Sequence, residues 1–369
     1  MKYDYVIVGA GLSGTIIANK LAENKNNSIL IIEKRNHIAG NCYDFKDNNG
    51  IIIHKYGPHC FHTNNENVWK YLSLFTEWTE YKHKVLAKIN DKLIPVPFNL
   101  TSIRKCFDNA DLLIEKLIAK YNYNTKIPIL DLLKENDEHL KMLADFIYQN
   151  VFLGYTIKQW GMKPEDLSNS VTARIPVFIS EDEHYFQDKY QALPKEGYTK
   201  MVENMLNKPN IELLLNTDYL KIKDKLKYKK IFYSGMIDEF YDYCFGKLPY
   251  RSLRFDFETL NKIHFQSVAQ VNYPNENDYT RITEFNHFYK NKNYDKTVIA
   301  KEYPFQYEDN LNNIPYYPIP QTQNTELYEK YKNISTSNDI IFIGRLGHYS
   351  YYNMDQVVAQ SLEIVRCVE

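Results

Sequence analysis

The sequence has no excess of charge of either sign: 45 basic against 46 acidic side chains leave a net of -1. No global field therefore draws the chain to nucleic acid or to an anionic membrane, and any anion site must be local. No apolar run approaches the roughly 20 residues that span a bilayer, and the first residues enter a strand pattern at once, without a signal peptide. A cytoplasmic protein without membrane insertion is expected. The five cysteines, Cys42, Cys60, Cys106, Cys244 and Cys367, are scattered and form no CxxC pair. That speaks against a disulfide framework or a zinc cluster and for free thiols in a reducing compartment. Among only 13 glycines there is one GxGxxG, so tight binding of a second dinucleotide in another Rossmann unit is disfavoured. Tryptophans number three and tyrosines 32, a bias that suits substrates stacked and hydrogen-bonded at once.

What is present is organised around residues 5–14, YVIVGAGLSG. A short β-branched run (5–8) leads into Gly9, Gly11 and Gly14 of the GxGxxG turn, and helical composition follows from Thr15 to Glu23. Gly9 permits the turn, Gly11 lets the backbone approach a pyrophosphate, and Gly14 lets helix and strand pack, so helix amides and dipole face the phosphates. A second apolar run, 29–32, ends at Glu33, where a carboxylate can accept a ribose 2′-hydroxyl and disfavour a 2′-phosphate. Strand, helix, second strand and carboxylate in register indicate an adenine-dinucleotide site. The polar stretch from Lys34 to Asn41 reads as a loop wrapping that cofactor.

Further along, His59 and His62 share a Gly-Pro loop at a spacing that makes a poor metal pair, and no metal site is predicted. Between residues 101 and 161 the pattern becomes helical, with Ile114, Leu117, Ile118 and Tyr121, then Leu140, Leu143, Ala144 and Ile147, at i, i+3, i+4, i+7. Residues 197–235 return to α/β character, with a helix over 198–206 and strands over 211–215 and 231–234. From Leu253 the period becomes two, through Phe255 and Phe257, and an antiparallel sheet is predicted. A last strand over 340–343 precedes a helix over 354–367. The fold class is α/β: a Rossmann-like dinucleotide-binding domain, which the resemblance given next makes an FAD-binding domain, with a helical insertion domain and an antiparallel β-sheet domain. The expected division assigns 1–80, 191–245 and 335–369 to the dinucleotide domain, 100–190 to the helical domain, and 81–99 with 246–334 to the sheet domain.

Eight strings, in order, resemble the bacterial UDP-galactopyranose mutases over essentially the full length: YGPHCFHT (56–63), GYTIKQWG (154–161), RIPV (174–177), YQALPKEGYTK (190–200), YRSL (250–253), KEYP (301–304), YYP (316–318) and GRLGHYSYYNMD (344–355). The resemblance implies a flavoenzyme that interconverts UDP-galactopyranose and UDP-galactofuranose without net redox change, supplying galactofuranose for surface glycans. It implies reduced FAD whose N5 attacks the anomeric carbon and displaces UDP, an external reductant, and a homodimer. By the same resemblance Arg174 lies on a mobile loop closing over the diphosphate, and Arg281 meets the diphosphate from the sheet side. Phe152, Tyr155, Thr156 and Trp160 match the uridine pocket, while Tyr185, Tyr316 or Tyr317, and Tyr351 match positions near phosphates and sugar. Asn272 looks like a substrate amide contact and Glu302 like a carboxylate near the active site. Ser13, Gly40, His59 and Cys60 join Gly9, Gly11, Gly14, Glu33, Lys34 and Asn41 as expected flavin contacts. So do Arg345, Tyr352, Asn353, Met354, Asp355 and Val357, and Arg345 and Tyr351 are expected to act in catalysis.

Three departures stand out against the family pattern. Ala39 replaces a common glycine and is tolerable at negative φ; Asn353 replaces a usual aspartate; His83 replaces a frequent asparagine. A flavin oxidase or desaturase on the same FAD plan, a silent nucleotide-sugar binder, and a mutase that also takes UDP-N-acetylgalactosamine are the competing readings.

Overall fold

The β-branched run ahead of the glycines forms the strand Lys2–Val8, and the turn passes straight into the helix Leu12–Leu21. The computed structural model describes residues 2–167, 176–289, 294–309, 313–319, 321–334 and 339–368. The helix begins before the predicted Thr15 because Gly11 is extended (φ -77°, ψ -178°) and serves as its N-cap. Gly14 sits on the turn itself: a Cβ there would meet Gly9 O at 2.1 Å, so a larger residue would force helix and turn apart.

The chain divides into two compact units. The first comprises Met1–Tyr81, Asp188–Tyr250 and Pro315–Glu369. Its five-stranded sheet runs Ile211–Leu214, Ile29–Ile32, Lys2–Val8, Lys227–Tyr233, Ile340–Phe342, all parallel. Every residue of Ile29–Ile32 is buried, as parallel strands covered on both faces require. Ile7, Ile17, Leu21, Ile31, Phe232, Ile343 and Val365 form one core, each such side chain contributing about 1.5–3 kcal/mol of hydrophobic free energy. The strand predicted over 231–234 starts at Lys227, because pairing with the long first strand runs from Lys2↔Lys227 to Val8↔Tyr233 and draws in lysines that the apolar pattern left out. A small antiparallel sheet, Phe61–Thr63, Tyr190–Pro194 and Trp78–Glu80, carries the stacked rings of Trp69, Trp78 and Tyr190.

The second unit comprises Lys82–Gln187 and Arg251–Ile314. The strands Tyr250–Leu260, Thr297–Gln306, Arg281–Glu284, Gln270–Asn272, Val85–Ile89 and Lys92–Val96 neighbour one another in that order. Pairing is antiparallel except between Gln270–Asn272 and Val85–Ile89. The helix Glu138–Ile147 buries its predicted stripe, whereas in Ala110–Tyr121 Ile114 and Leu117 are buried, Ile118 and Tyr121 only partly, and Leu113, outside the predicted stripe, is buried with them; Leu113, Leu117, Leu140, Leu143 and Ile147 pack with Val85, Ala87 and Val96 of the sheet. The period-two reading from Leu253 gives the strand but not its burial. Leu253 is 7% exposed, Phe255 half-buried and Phe257 42% exposed, so cover over the alternating face falls away along the strand.

The condition set for Ala39, a negative φ, is not met. Ala39 is fully buried with φ 69° and ψ 0°, its N–H donating to Ala10 O at 2.8 Å. A left-handed alanine costs about 1–2 kcal/mol, partly offset in a glycine by greater freedom of the unfolded chain. Ala39→Gly should therefore stabilise the protein by about 0.5–1 kcal/mol, read as a higher urea midpoint at unchanged m-value.

Candidate functional site

In the first unit the end of the Ile29–Ile32 strand brings Glu33 back to the glycine turn. Its Oε2 accepts from Ala10 N at 2.9 Å and its Oε1 from Arg35 N at 2.9 Å. Each oxygen keeps a further lone pair for a ribose hydroxyl. Ser13 Oγ lies 3.0 Å from Ser361 Oγ of the last helix, so this side chain ties two helices together instead of reaching outward. Lys34 is exposed, and Asn41 Oδ1 accepts from Arg35 Nη2 at 3.0 Å. Arg35 was not singled out in the sequence. Its guanidinium lies 4.6 Å over the Tyr56 ring, and among the described residues its buried Nη1 meets no acceptor in hydrogen-bonding geometry. A cation two residues after the ribose carboxylate, inside a polar loop, was the available signal. Glycine turn, carboxylate and buried guanidinium together fit an adenine dinucleotide.

The loop that follows is held by neutral histidines. His59 Nδ1 faces Gly57 O at 2.8 Å and so carries the proton, whereas His54 Nδ1 accepts from His59 N at 3.0 Å. Burial pushes both imidazoles down to about 3. Burial also raises the Cys60 thiol beyond the usual thiol range and Cys42 to about 12, so neither is a thiolate near neutrality.

In the same unit Arg345 Nε donates to Tyr352 O at 2.9 Å, and its guanidinium lies 5.5 Å from the ring centres of both Tyr317 and Tyr351. Tyr317 and Tyr351 meet edge to face at 5.1 Å. Tyr316 is 3% exposed and lies near Tyr56, so Tyr317 is the member of the pair that stands with Arg345 and Tyr351. Asp355 Oδ2 accepts from Thr63 Oγ1 at 3.0 Å, Asn353 N donates to Gln356 Oε1 at 2.8 Å, and Met354 opens the helix Met354–Val368 that buries Val357.

In the second unit Phe152, Tyr155, Thr156, Trp160 and Asn272 line one cleft of about 620 Å³, open mouth included, with Ala87, Val96, Val151, Pro164, Leu167 and Pro274. Gln270 Nε2 donates to Asn272 Oδ1 at 3.1 Å and so orients that amide. Arg281 Nη2 donates to Tyr155 Oη at 2.5 Å, and Arg281 Nε lies 3.2 Å from Glu302 Oε1. Glu302 is 3% exposed; burial pushes its carboxyl up and Arg281 pulls it down. Tyr185 packs edge-on to His83, which is itself buried. Arg174 lies outside the described residues.

His264, Glu284 and His287 also come together in this unit, a grouping that spacing did not reveal. Glu284 already accepts from Phe265 N at 2.8 Å, Gln266 N at 2.9 Å and Thr297 Oγ1 at 2.7 Å. His287 Nε2 faces Gln266 O at 2.9 Å, which places a proton on that nitrogen. The group reads as a hydrogen-bonded buried carboxylate.

Comparison with known proteins agrees with this geometry. A family model described as UDP-galactopyranose mutase matches residues 150–351, and one described as an NAD(P)-binding Rossmann-like domain matches residues 7–75. A Klebsiella pneumoniae protein named "Probable UDP-galactopyranose mutase" is 38% identical over 367 residues, covering 97% of this chain and 92% of its own. A dTDP-fucopyranose mutase of Escherichia coli is 36% identical over 368 residues, covering 97% and 96%. The crystal structure of a reduced UDP-galactopyranose mutase superposes with a TM-score of 0.74 at 16% identity, covering 99% of this chain and 95% of that one, which establishes the fold.

Burial lowers the His54 and His59 imidazoles from the ordinary value of about 6.5, which the unfolded chain keeps, to about 3 in the fold. Their contribution to stability is whole above 6.5 and is lost as pH falls toward 3, by up to about 1.4 kcal/mol per pH unit for each. Urea unfolding between pH 7 and pH 5 should show this loss. His54→Asn, which keeps an acceptor for His59 N, should flatten the slope by about one such share.

Proposed function

We propose, for a chain that belongs to the UDP-galactopyranose mutase family, that it interconverts UDP-galactopyranose and UDP-galactofuranose with FAD held by the first unit. The observation that carries this reading is the aromatic cleft with Arg281 at Tyr155 and Glu302. A uridine needs flat apolar walls and a few polar contacts, which Phe152, Tyr155 and Trp160 supply with Thr156 and Asn272. A departing diphosphate needs a guanidinium fork whose plane is already fixed. Tyr155 and Glu302 fix that plane, so Arg281 stabilises leaving-group charge without reorganising at the moment of reaction.

Arg174 adds a second cation to the diphosphate. In the second unit Tyr185 orients the sugar, and in the first Tyr317 and Tyr351 stand with Arg345 as residues that exclude water. In the first unit, Glu33 and Arg35 hold the adenosine end, the amides after Gly11 receive the pyrophosphate, and residues 352–357 offer amides to the flavin ring. When bound and reduced, the flavin supplies the nucleophile for the anomeric carbon. An external reductant keeps it reduced, and the protein works in the cytoplasm as a homodimer.

A second reading, a dTDP-sugar mutase, is favoured by the Escherichia coli relative and by the small apolar walls Ala87, Val96 and Val151, which would receive a 5-methyl group.

Incubating the purified yellow protein with UDP-galactofuranose, with and without dithionite, tests the proposal by chromatography of the products. Pyranose should form only under reduction; oxygen consumption without isomerisation would indicate an oxidase instead. A parallel incubation with dTDP-fucofuranose decides the second reading. Arg174→Ala should lose nearly all turnover with FAD still bound, and Arg281→Lys should lower kcat by about a hundredfold. Loss of flavin, or unchanged turnover, in either variant would contradict the assigned roles.

A further inference from the structure

The helix that carries the cleft residues is not α-helical throughout. Glu138–Ile147 is α-helical, Tyr148–Leu153 is π-helical, and Gly154–Trp160 is α-helical again. The buried stripe of the first part is Leu140, Leu143, Ala144 and Ile147. Continuing its 3.6-residue period at about 100° per residue would bring Val151, Gly154 and Lys158 onto the core face and turn Thr156 and Trp160 about 160° away. Val151 does stay in the core, but beyond it the molecule departs from that course. Tyr155, Thr156 and Trp160 line the cleft, Gln159 and Trp160 are 5% and 7% exposed, and Lys158 reaches out to Tyr273 O at 2.8 Å and Glu276 O at 3.1 Å. Bonding i to i+5 instead of i to i+4 sets the following helix back by about one residue, about 100°, so that Tyr155 and Gln159 take the places on the core side that Gly154 and Lys158 would have held, and Thr156 and Trp160 come round by the same angle.

The segment is also pinned. Asn150 Nδ2 donates to Phe146 O at 2.9 Å, the carbonyl that an α-helix would give to the backbone amide of Asn150. Asn275 Nδ2 donates to Asn150 O at 3.0 Å. The loop bearing Asn275 closes on the first residue beyond the π turn, where a Cβ on Gly154 would meet Pro274 O at 2.4 Å. The same loop supplies Pro274 to the cleft wall.

We propose that the π-helical segment Tyr148–Leu153 is the positioning element of the nucleotide cleft, and that its extra residue turns Tyr155, Thr156 and Trp160 toward the base. This rests on the reading of the cleft as a nucleoside-diphosphate site. The test uses the full, flavin-loaded protein with Gln149, exposed within the segment, deleted so that the helix runs on as α. A companion protein restores the length with one alanine inserted after Leu153. The deletion should weaken UDP binding by about a hundredfold while flavin and cooperative melting are kept. It should also raise the acrylamide-quenchable share of fluorescence, because Trp160 is one of only three tryptophans and would leave its buried place. The inserted alanine should restore both.

Unchanged UDP affinity in the folded deletion protein, or a defect that the alanine does not repair, would overturn the proposal. Should the deletion protein fail to fold, Asn150→Ala combined with Asn275→Ala decides: affinity for UDP weakened by about fivefold or more supports it, and unchanged affinity overturns it. If the parent protein itself does not bind UDP, the substrate reading falls, and the tryptophan quenching alone decides the helix register.

Discussion

A buried carboxylate beside a guanidinium is costly to separate, and the Glu302–Arg281 contact couples two neighbouring strands of the second unit. Glu302 sits on the strand Thr297–Gln306 and Arg281 opposite it on Arg281–Glu284, as registered neighbours of an antiparallel pair. The sheet thereby fixes both ends of the contact before any ligand arrives. Tyr155 takes the other edge of the guanidinium from the helix Gly154–Trp160. Arg281 thus joins sheet and helix beside the cleft, as Arg251 does from the strand Tyr250–Leu260 through Lys158 O and Gln159 O, and on the proposed reading Arg281 receives the diphosphate.

The first unit solves a related problem with backbone. Glu33 is nearly buried and satisfied by two amides, one from the glycine turn and one from its own loop. Turn, strand end and loop are locked together there by a single carboxylate. The strain of a left-handed Ala39 is held in the same corner, where its amide bonds the glycine turn. His54 and His59, kept neutral by burial, hold the next loop through one N–H to imidazole bond and one imidazole to carbonyl bond.

Much of the architecture was legible in the sequence because it rests on local periodicity. The glycine turn with its flanking runs gave the parallel sheet's first strands, and i, i+3, i+4, i+7 spacing gave Ala110–Tyr121 and Glu138–Ile147. What could not be read depends on tertiary context. Phe257 alternates correctly yet stands exposed, because coverage of a strand face is decided by what lies over it. The sign of φ at Ala39 follows from the close approach of two loops, not from residue type. Tyr316 and Tyr317 are chemically alike, and only the fold turns one inward and one toward Arg345. The π-helical turn had a faint signature, since an unbroken α period would have put Lys158 on the core face. At the site, motif strings named Phe152, Tyr155, Thr156, Trp160 and Asn272, which line one cleft, but not Arg35, whose loop carries no periodic signal.

The central claim is that Arg281 is held ready for a diphosphate at the end of an aromatic base cleft. Calorimetric titration of the protein with UDP and with uridine tests it most directly. The account predicts that UDP binds at least about tenfold more tightly than uridine, with that preference lost in Arg281→Ala while uridine affinity is kept. Equal affinities for UDP and uridine in the parent protein would contradict it.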